Sequence, residues 1–140
     1  MSNDRADWNA KIIKEFRENK GKVGGNFENT PLLLLHTTGA KSGQTRTNPL
    51  AYVMDGDHYI VIASKGGAPT HPDWYHNVQK NTEVTVEVGE EKFRAKAQAV
   101  SEGPERDRLF AKMAAKNSGF SDYEKNTTRK IPAVSLTRIK

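Results

Sequence analysis

The sequence predicts a mainly β protein with flanking helices, an α+β fold whose strands form a closed or nearly closed barrel. Three observations lead to this prediction. Five or six short segments carry a strand pattern, one short helical segment is inserted among them, and longer helical segments flank them. The 140 residues fit a single domain, residues 1–140, which is long enough to bury a core without a disulfide or a metal.

The first element is predicted to be a helix over about residues 4–19. Its apolar residues recur at helical spacing, while charged residues occupy the other faces. These apolar residues are Trp8, Ile12, Ile13 and Phe16. We expect this helix to pack over the core, with a peripheral membrane contact or a subunit contact as the alternatives. Residues 20–29 contain three glycines and are interpreted as a flexible connector.

The first three strands are predicted in the stretch that follows. Leu32–Thr37 begins with a continuous apolar run, which is typical of a strand buried on both faces. The second strand is expected at Asn48–Met54, after a loop over residues 39–47. The turn residues Asp-Gly-Asp then lead into a third strand at Tyr59–Ala63, so that these two strands form a hairpin.

The second half of the chain predicts two helices and three more strands. Pro72 begins a short helix to about Lys80, because proline is tolerated in a first helical turn. Apolar and polar residues alternate in the two strands after it. The elements in order are strands at Glu83–Val88 and Lys92–Val100, a helix from Pro104 to about Lys116, an irregular stretch over 117–126, and a strand at Ile131–Ile139.

The composition excludes several classes of function. The chain has no cysteine, so disulfides, thiolate nucleophiles and cysteine-bound metals are excluded. The net charge of +5 is spread along both halves of the chain, which favours an anionic small molecule and not nucleic acid. The longest apolar run is too short to cross a bilayer, and the N-terminus does not resemble a signal peptide. We expect a cytoplasmic protein, with membrane association through the first helix as the alternative.

Familiar catalytic motifs are missing from the sequence. It contains no nucleotide P-loop, no dinucleotide-binding glycine motif and no nucleophile elbow. The four histidines are scattered, and none lies at the spacing of a zinc protease, so no metal site is expected.

The loop after the first strand combines two glycines with two cations. It turns at Gly39 and Gly43 and carries Lys41 and Arg46. Glycines allow several backbone N–H groups to point into one concavity that binds anionic oxygens. A lysine and an arginine together suit a phosphate. From these residues alone, an ordinary polar hairpin loop is an equally good interpretation.

A second glycine-containing loop follows the third strand. The stretch Ala63–Pro69 again places a small residue, a cation and paired glycines at a strand end. Trp74 and Tyr75 follow on the short helix, where an aromatic side chain could cover a planar ring. Trp74 could equally anchor this helix to the barrel, and the two roles are compatible.

These motifs resemble those of a known family. The order Thr-Thr-Gly-x-Lys-Ser-Gly-x-x-Arg-x-Asn-Pro-Leu, Ala-Ser-Lys-Gly-Gly and Pro-x-Trp-Tyr-x-Asn is similar to that of the deazaflavin-dependent nitroreductase family of actinobacteria. The similarity runs from about Leu33 to Asn81 and resumes more weakly at residues 122–123 and 129–132. The resemblance implies a split β-barrel of the flavin-reductase type. It also implies the use of coenzyme F420, an 8-hydroxy-5-deazaflavin with a phosphodiester and an oligoglutamate tail.

The resemblance implies roles for individual residues. Lys41 and Arg46 match phosphate-binding positions, Asn48 and Pro49 match residues along the deazaflavin, and the loop from Ala63 matches the cradle of its ring system. The full set of implied coenzyme-binding residues is Lys41, Ser42, Gly43, Arg46, Asn48, Pro49, Ala63, Ser64, Lys65, Gly66, Gly67 and Trp74.

The implied activity is hydride transfer from reduced F420 to a quinone, an activated enone or a nitroaromatic acceptor. Ser64 and Tyr123 match hydroxyls on the substrate side and are the candidate catalytic residues, because the acceptor develops negative charge. Asn117 and Phe120 stand where other members can carry tyrosines, so we expect quinones or enones to be better substrates than bulky nitroimidazoles. The alternatives are an FMN-binding split-barrel reductase and a non-catalytic deazaflavin carrier. The expected partner is a small-molecule acceptor, and the sequence leaves the choice between a monomer and a homodimer open.

Overall fold

The computed structural model describes residues 4–19, 21, 32–40, 43–63, 72–116, 120, 122, 125, 127 and 130–139, with side chains in the first helix from Ala10 onward. The helices are α1 (Asp4–Glu18), α2 (Asp73–Lys80) and α3 (Pro104–Lys116). The strands are β1 (Leu32–Thr38), β2 (Thr45–Ala51), β3 (Val53–Asp55), β4 (His58–Ile62), β5 (Glu83–Val88), β6 (Glu91–Val100) and β7 (Ala133–Arg138).

The strands form one curled antiparallel sheet in the order β2-β1-β5-β6-β7-β4-β3. Only Tyr52 separates β2 from β3, so these two strands are one bent stretch of chain. Its first part pairs with β1 and its second part pairs with β4. The bent stretch therefore joins the two ends of the sheet. The barrel and the mainly β class predicted from the sequence are confirmed.

The main core lies inside the curled sheet. Alternate residues of β1, β4, β5, β6 and β7 point inward and are buried, as the period-2 pattern requires. They include Leu33, Leu35, Val61, Val86, Val134 and Leu136. Trp74, Tyr75 and Val78 of α2 pack into the same cluster, so this short helix closes one part of the barrel interior.

The other face of β1 is covered by α1. Leu32 and Leu34 pack against Phe16, with Ile12 and Ile13 beside them. The prediction of a strand buried on both faces is therefore confirmed, as is the packing of the first helix over the core. A membrane contact lacks support, because the large apolar residues of α1 whose side chains are described, Ile12, Ile13 and Phe16, face the sheet. Within the described residues, no helix combines the length and the apolar character that spanning a bilayer requires.

A polar network fastens the C-terminal part of α1 to the sheet. Arg17 donates to the carboxylate of Glu87 on β5 at 2.8 Å, and the same carboxylate lies 2.5 Å from His36 Nε2 on β1. The other ring nitrogen of His36 is 2.9 Å from the hydroxyl of Thr47 on β2. The hydrogen bond from Arg17 lowers the pKa of Glu87, partial burial opposes this, and His36 adds to the lowering.

Helix α3 covers the outer face of β3, β4 and β7. Leu109, Phe110 and Met113 pack against Ile60 and Ile62 in a second buried cluster. Arg106 of the same helix is only 2% exposed. Its Nε donates to the carbonyl of Ile131 at 2.8 Å, and its guanidinium lies 4.4 Å from the ring centre of Phe110.

Three of the predicted assignments are wrong. The second strand begins at Thr45 and not at Asn48, and the expected strand over 48–54 is interrupted at Tyr52. The earlier start has a local cause, because Gly39 N–H donates to Gln44 O at 2.7 Å and brings Thr38 opposite Thr45. The stretch over 117–126 was expected to be irregular, but its described residues Phe120, Asp122 and Lys125 are helical.

Candidate active site

The two glycine-containing loops predicted from the sequence begin at the same end of the barrel. Between β1 and β4 lie β5, β6 and β7, and each strand is antiparallel to its neighbour. Four antiparallel steps make β1 and β4 run in the same direction. The loop after Thr38 and the loop after Ala63 therefore leave the sheet at one end, which we call the loop end.

The hydrogen-bonded ladder of the barrel is interrupted at the loop end, within the described part of the sheet. Strand β3 pairs with β4 only from His58 to Ile60, and beyond that point β4 pairs with β7 alone. Strand β2 contacts β4 but forms no hydrogen-bonded ladder with it in the described part of the sheet. We call this break in the pairing between β2 and β4 the split.

Register assigns the residues of β2 to two faces. Arg46 and Asn48 lie directly opposite Thr37 and Leu35, so they share the inward face of the sheet. Pro49 lies opposite Leu34 and shares the outer face, on the side of α1. The two residues expected along the coenzyme, Asn48 and Pro49, thus point to opposite sides of the strand. Proline is tolerated here because β2 is at the edge of the ladder.

Arg46 stands out among the arginines. It is exposed at the loop end, and it is the one arginine with a described side chain that has no carboxylate partner within 4.0 Å. The others are Arg17, Arg94, Arg106, Arg108 and Arg138, which pair with Glu87, Glu83, Asp107, Asp55 and Glu91. An unpaired guanidinium beside an opening can bind a ligand phosphate or carboxylate through two parallel hydrogen bonds.

The described amides of the loop after β1 are already engaged. Gly39 N–H donates to Gln44 O, Gly43 N–H donates to Gly39 O at 3.0 Å, and Ala40 N–H donates to Asn77 Oδ1 at 2.9 Å. Gly43 has φ of +72°, which favours glycine at this turn. These three N–H groups therefore do not form the anion-binding concavity expected from the glycines. Among the described groups of this loop and of β2, Arg46 is the cation available for an anion.

Two side chains of helix α2 form hydrogen bonds with this loop and with the end of β1, and neither is among the predicted site residues. Asn77 Nδ2 donates to Thr37 Oγ1 at 3.0 Å, and Lys80 Nζ donates to Ala40 O at 3.0 Å. Asn77 is 6% exposed and Thr37 is 2% exposed. Asn77 ends the motif Pro-x-Trp-Tyr-x-Asn, so a signal for its importance was present in the sequence.

Trp74 and Ala63 are both buried. Trp74 packs with the barrel core and stands edge-to-face to Tyr75, with ring centres 6.4 Å apart. This packing confirms that Trp74 anchors α2, whereas its contact with a coenzyme stays a prediction. Ala63 N–H donates to Pro132 O at 3.0 Å, which ties the end of β4 to the segment before β7. Burial raises the pKa of Tyr75, so its phenol stays protonated at neutral pH.

Several predicted site residues lie outside the described residues: Lys41, Ser42, Ser64, Lys65, Gly66, Gly67, Asn117 and Tyr123. Phe120 is described, and it is buried in the cluster beneath α3. No group of three or more His, Asp or Glu side chains in the described part of the chain could hold a metal ion.

The curled antiparallel sheet, its split and the three helices define a split-barrel protein of the flavin-reductase type. A family model for F420H(2)-dependent quinone reductases matches residues 8–138. The chain belongs to this family, so it is an oxidoreductase whose cofactor is coenzyme F420. The sequence motifs resemble those of the related deazaflavin-dependent nitroreductases. The family match agrees with the resemblance on the deazaflavin coenzyme, and the description of the family names a quinone as the acceptor.

Individual proteins show the same similarity. An F420H(2)-dependent quinone reductase of Mycobacterium tuberculosis is 42% identical over 126 residues, which cover 88% of this chain and 85% of that protein. A solved F420-H2 dependent reductase has a TM-score of 0.69 and 37% identity, covering 76% of this chain and 93% of its own. Another solved structure, described as a domain-swapped dimer, has a TM-score of 0.70 and 34% identity, covering 94% of this chain and 98% of its own.

Proposed function

We propose that this chain, as a single domain, reduces a quinone with F420H(2), and that the coenzyme lies in the split with its anionic part toward Arg46. Membership in the family supports the reaction. The observation that carries the placement is Arg46, an exposed guanidinium at the loop end with no carboxylate partner among the described residues. The phosphodiester of F420 is a complementary anion, so this residue fits the coenzyme.

The two sides of the split have different roles in the proposal. Lys41 and Arg46 bind the phosphodiester, with Ser42 and Gly43 beside them. Asn48 reaches the deazaflavin from the inward face of β2, and Pro49 contributes backbone. Ala63 and the residues that follow it, Ser64 to Gly67, support the ring from the end of β4. Trp74 supports this arrangement by fixing α2 in the core.

Hydride transfer to a quinone depends on the correct position of the acceptor and on a proton donor, and less on a nucleophilic side chain. Reduced F420, when bound, supplies a hydride from C5 of its ring. A quinone that accepts this hydride and one proton becomes a hydroquinone. In the proposal, the hydroxyls of Ser64 and Tyr123 stabilise the developing oxyanion and deliver the proton or order a water that does. Asn117 offers no phenol at its position, and the buried Phe120 offers none either, so we expect small quinones and conjugated enones to be preferred over bulky nitroimidazoles.

The test is a parallel titration of the purified chain with F420, FMN and NADPH, followed by turnover with menadione as the quinone. We expect binding of F420 alone and quinone-dependent oxidation of F420H(2). Binding of FMN in place of F420 would support a flavin-dependent reductase and contradict the proposal. Tight binding of F420 without turnover of menadione, an enone or a nitroarene would support a carrier.

We also propose that the chain forms a homodimer. The support is the similarity to the structure described as a domain-swapped dimer, which extends over 94% of this chain. Sedimentation equilibrium should give twice the mass of 15.6 kDa. A single species of monomer mass at micromolar concentration would contradict the dimer and leave the proposed reaction untouched.

A further inference from the structure

The residue before Lys41 is held on both sides of its peptide backbone by α2. Ala40 N–H donates to Asn77 Oδ1 at 2.9 Å, and Ala40 O accepts from Lys80 Nζ at 3.0 Å. Asn77 and Lys80 are three positions apart and therefore lie on the same face of the helix. The last described residue before Lys41 is thereby fixed to α2.

The second hydrogen bond of Asn77 reaches the strand next to Arg46. Its Nδ2 donates to Thr37 Oγ1 at 3.0 Å, and Thr37 is the residue directly opposite Arg46 in the β1–β2 ladder. The two partners of Asn77 are thus the chain neighbour of Lys41 and the cross-strand neighbour of Arg46. One amide side chain therefore supports both Ala40 and the strand residue that pairs with Arg46.

Burial makes these two hydrogen bonds specific. Asn77 is 6% exposed and Thr37 is 2% exposed, so water cannot readily replace either partner. A buried amide that loses a partner bears the desolvation penalty, so the native pair is strongly preferred over any slipped arrangement. The end of β1 and Ala40 consequently have one position relative to α2. The same helix places Trp74 three residues earlier, in the core of the barrel.

We infer that Asn77 is a positioning residue for the anionic end of the coenzyme. It holds the end of β1 and Ala40, and with them the strand from which Arg46 reaches the phosphodiester, while the ring end of the site is set by other residues. This inference rests on the proposed function. It differs from a direct binding role, because the side chain of Asn77 has both of its polar atoms engaged within the protein.

If Asn77 positions the anionic end, its removal should weaken the binding of F420 selectively, which a general packing role would not produce. The measurement compares the affinity for F420 with the affinity for its riboside, a deazaflavin that ends before the phosphodiester. For Asn77→Ala, we expect F420 to bind about tenfold more weakly, because the charge-assisted hydrogen bonds to the phosphodiester lose their geometry. The affinity for the riboside should change by less than about twofold.

Two controls belong to this measurement. Gln79→Ala removes an amide from the same helix, one whose nitrogen lies near the Tyr75 hydroxyl and not near the loop, and it should leave both affinities unchanged. Thr37→Val removes the hydroxyl that accepts from Asn77, and it should weaken F420 about threefold, whereas Thr37→Ser keeps the hydroxyl and should not. Circular dichroism shows whether Asn77→Ala folds. If it does not fold, the comparison of Thr37→Val with Thr37→Ser tests the positioning role.

The outcomes separate this inference from the proposed function. If the unmodified chain binds neither F420 nor the riboside, the proposed function fails. If it binds both equally, the anionic site and this inference fail together. The third case is an unmodified chain that binds F420 more tightly than the riboside. If Asn77→Ala then lowers both affinities in equal proportion, or lowers neither of them, Asn77 has no positioning role for the anionic end and the proposed function stands.

Discussion

At the residue scale, Arg46 is the clearest link between structure and ligand. Replacement by alanine should weaken F420 binding roughly tenfold to a hundredfold, since a hydrogen bond to a charged group contributes about 1.5–3 kcal/mol. Lysine should restore only part of the loss, because it cannot form two parallel hydrogen bonds. Isothermal titration with F420 measures both effects. Equal affinities of the native, alanine and lysine forms would show that the coenzyme anion is bound elsewhere.

Arg106 is a second arginine with an unusual environment, and we expect it to contribute to the stability of the fold and not to coenzyme binding. It is buried and donates to the carbonyl of Ile131. Arg106→Met keeps much of the apolar stem but leaves that carbonyl without this donor, so we expect a loss of about 1–3 kcal/mol. Urea unfolding measures the change.

The matched control for that variant is Arg94→Met. Arg94 forms an ion pair with Glu83 in which both side chains are more than half exposed. Exposed ion pairs contribute about 0–1 kcal/mol, so this substitution should have little effect. Equal destabilisation by the two variants would contradict a special role for the buried guanidinium.

At the element scale, the end of α1 depends on a contact between two glycines. Gly21 has φ of +95°, and an added Cβ would lie 2.6 Å from the Cα of Gly89 in the β5–β6 turn. Gly103 has nearly the same φ, +93°, with no described atom within 4 Å of an added Cβ. Gly103→Ala should therefore cost about 1–2 kcal/mol from backbone strain alone.

Gly21→Ala should cost clearly more than Gly103→Ala, because strain and a backbone clash combine and α1 must move away from the turn. Thermal unfolding of both variants gives the comparison. If the two alanine variants lose the same stability, the contact with Gly89 does not constrain α1.

The network around Glu87 predicts a pH dependence for the docking of α1. The pKa of Glu87 lies below its usual value of 4.5 in the folded protein, mainly because of the hydrogen bond from Arg17. A lowered pKa contributes stability above about pH 4.5, and this contribution is lost as the pH falls through the folded-state pKa.

Glu87→Gln should therefore be less stable than the native chain at neutral pH, and the difference should shrink in acid. Urea unfolding at neutral pH and near pH 3 measures the two differences. Glu90→Gln, at an exposed position in the neighbouring turn, is the control and should show no such trend. A constant difference for Glu87→Gln at both pH values would exclude this linkage.

The elements differ in how well the sequence predicts them. Strand β1 is evident because an apolar run such as Leu32–Leu35 must be buried on both faces. The start of β2 is not evident, because Thr45 and Arg46 are polar and exposed, and the hydrogen bond between Gly39 and Gln44 fixes their pairing. Periodicity reports burial, and it carries no information on hydrogen bonds that close a loop.

The candidate site shows the same limit. The motif identified Arg46 as a candidate cation, but only the packed structure shows that it lacks a carboxylate partner among the described residues. The sequence does not place Asn77 in the site, because its partners, Thr37 and Ala40, are about forty positions away. Contacts of this kind are tertiary, so one sequence read by periodicity and composition does not predict them.

At the scale of the whole molecule, the net charge of +5 favours the approach of an anionic coenzyme. Long-range attraction speeds association and is screened by salt. We expect the association rate constant for F420 to fall roughly threefold to tenfold between low salt and half-molar salt. Stopped-flow fluorescence measures it, with the riboside as control, since a ligand without the anionic tail should show almost no change. Equal salt dependence of the two ligands would exclude attraction of the tail.

The central place of β7 determines the order in which the barrel can assemble. Strand β7 is the last of the seven to be synthesised, yet it lies between β6 and β4. The hairpins β1–β2, β3–β4 and β5–β6 are local in sequence, whereas Ile60 must pair with Ser135 across some seventy-five intervening positions. Without β7, the other strands can form only two incomplete half-sheets, β2-β1-β5-β6 and β4-β3, each with an open hydrogen-bonding edge. Closure of the barrel therefore requires β7, and a β7 from another copy presents the same edge chemistry to those half-sheets as the chain's own strand.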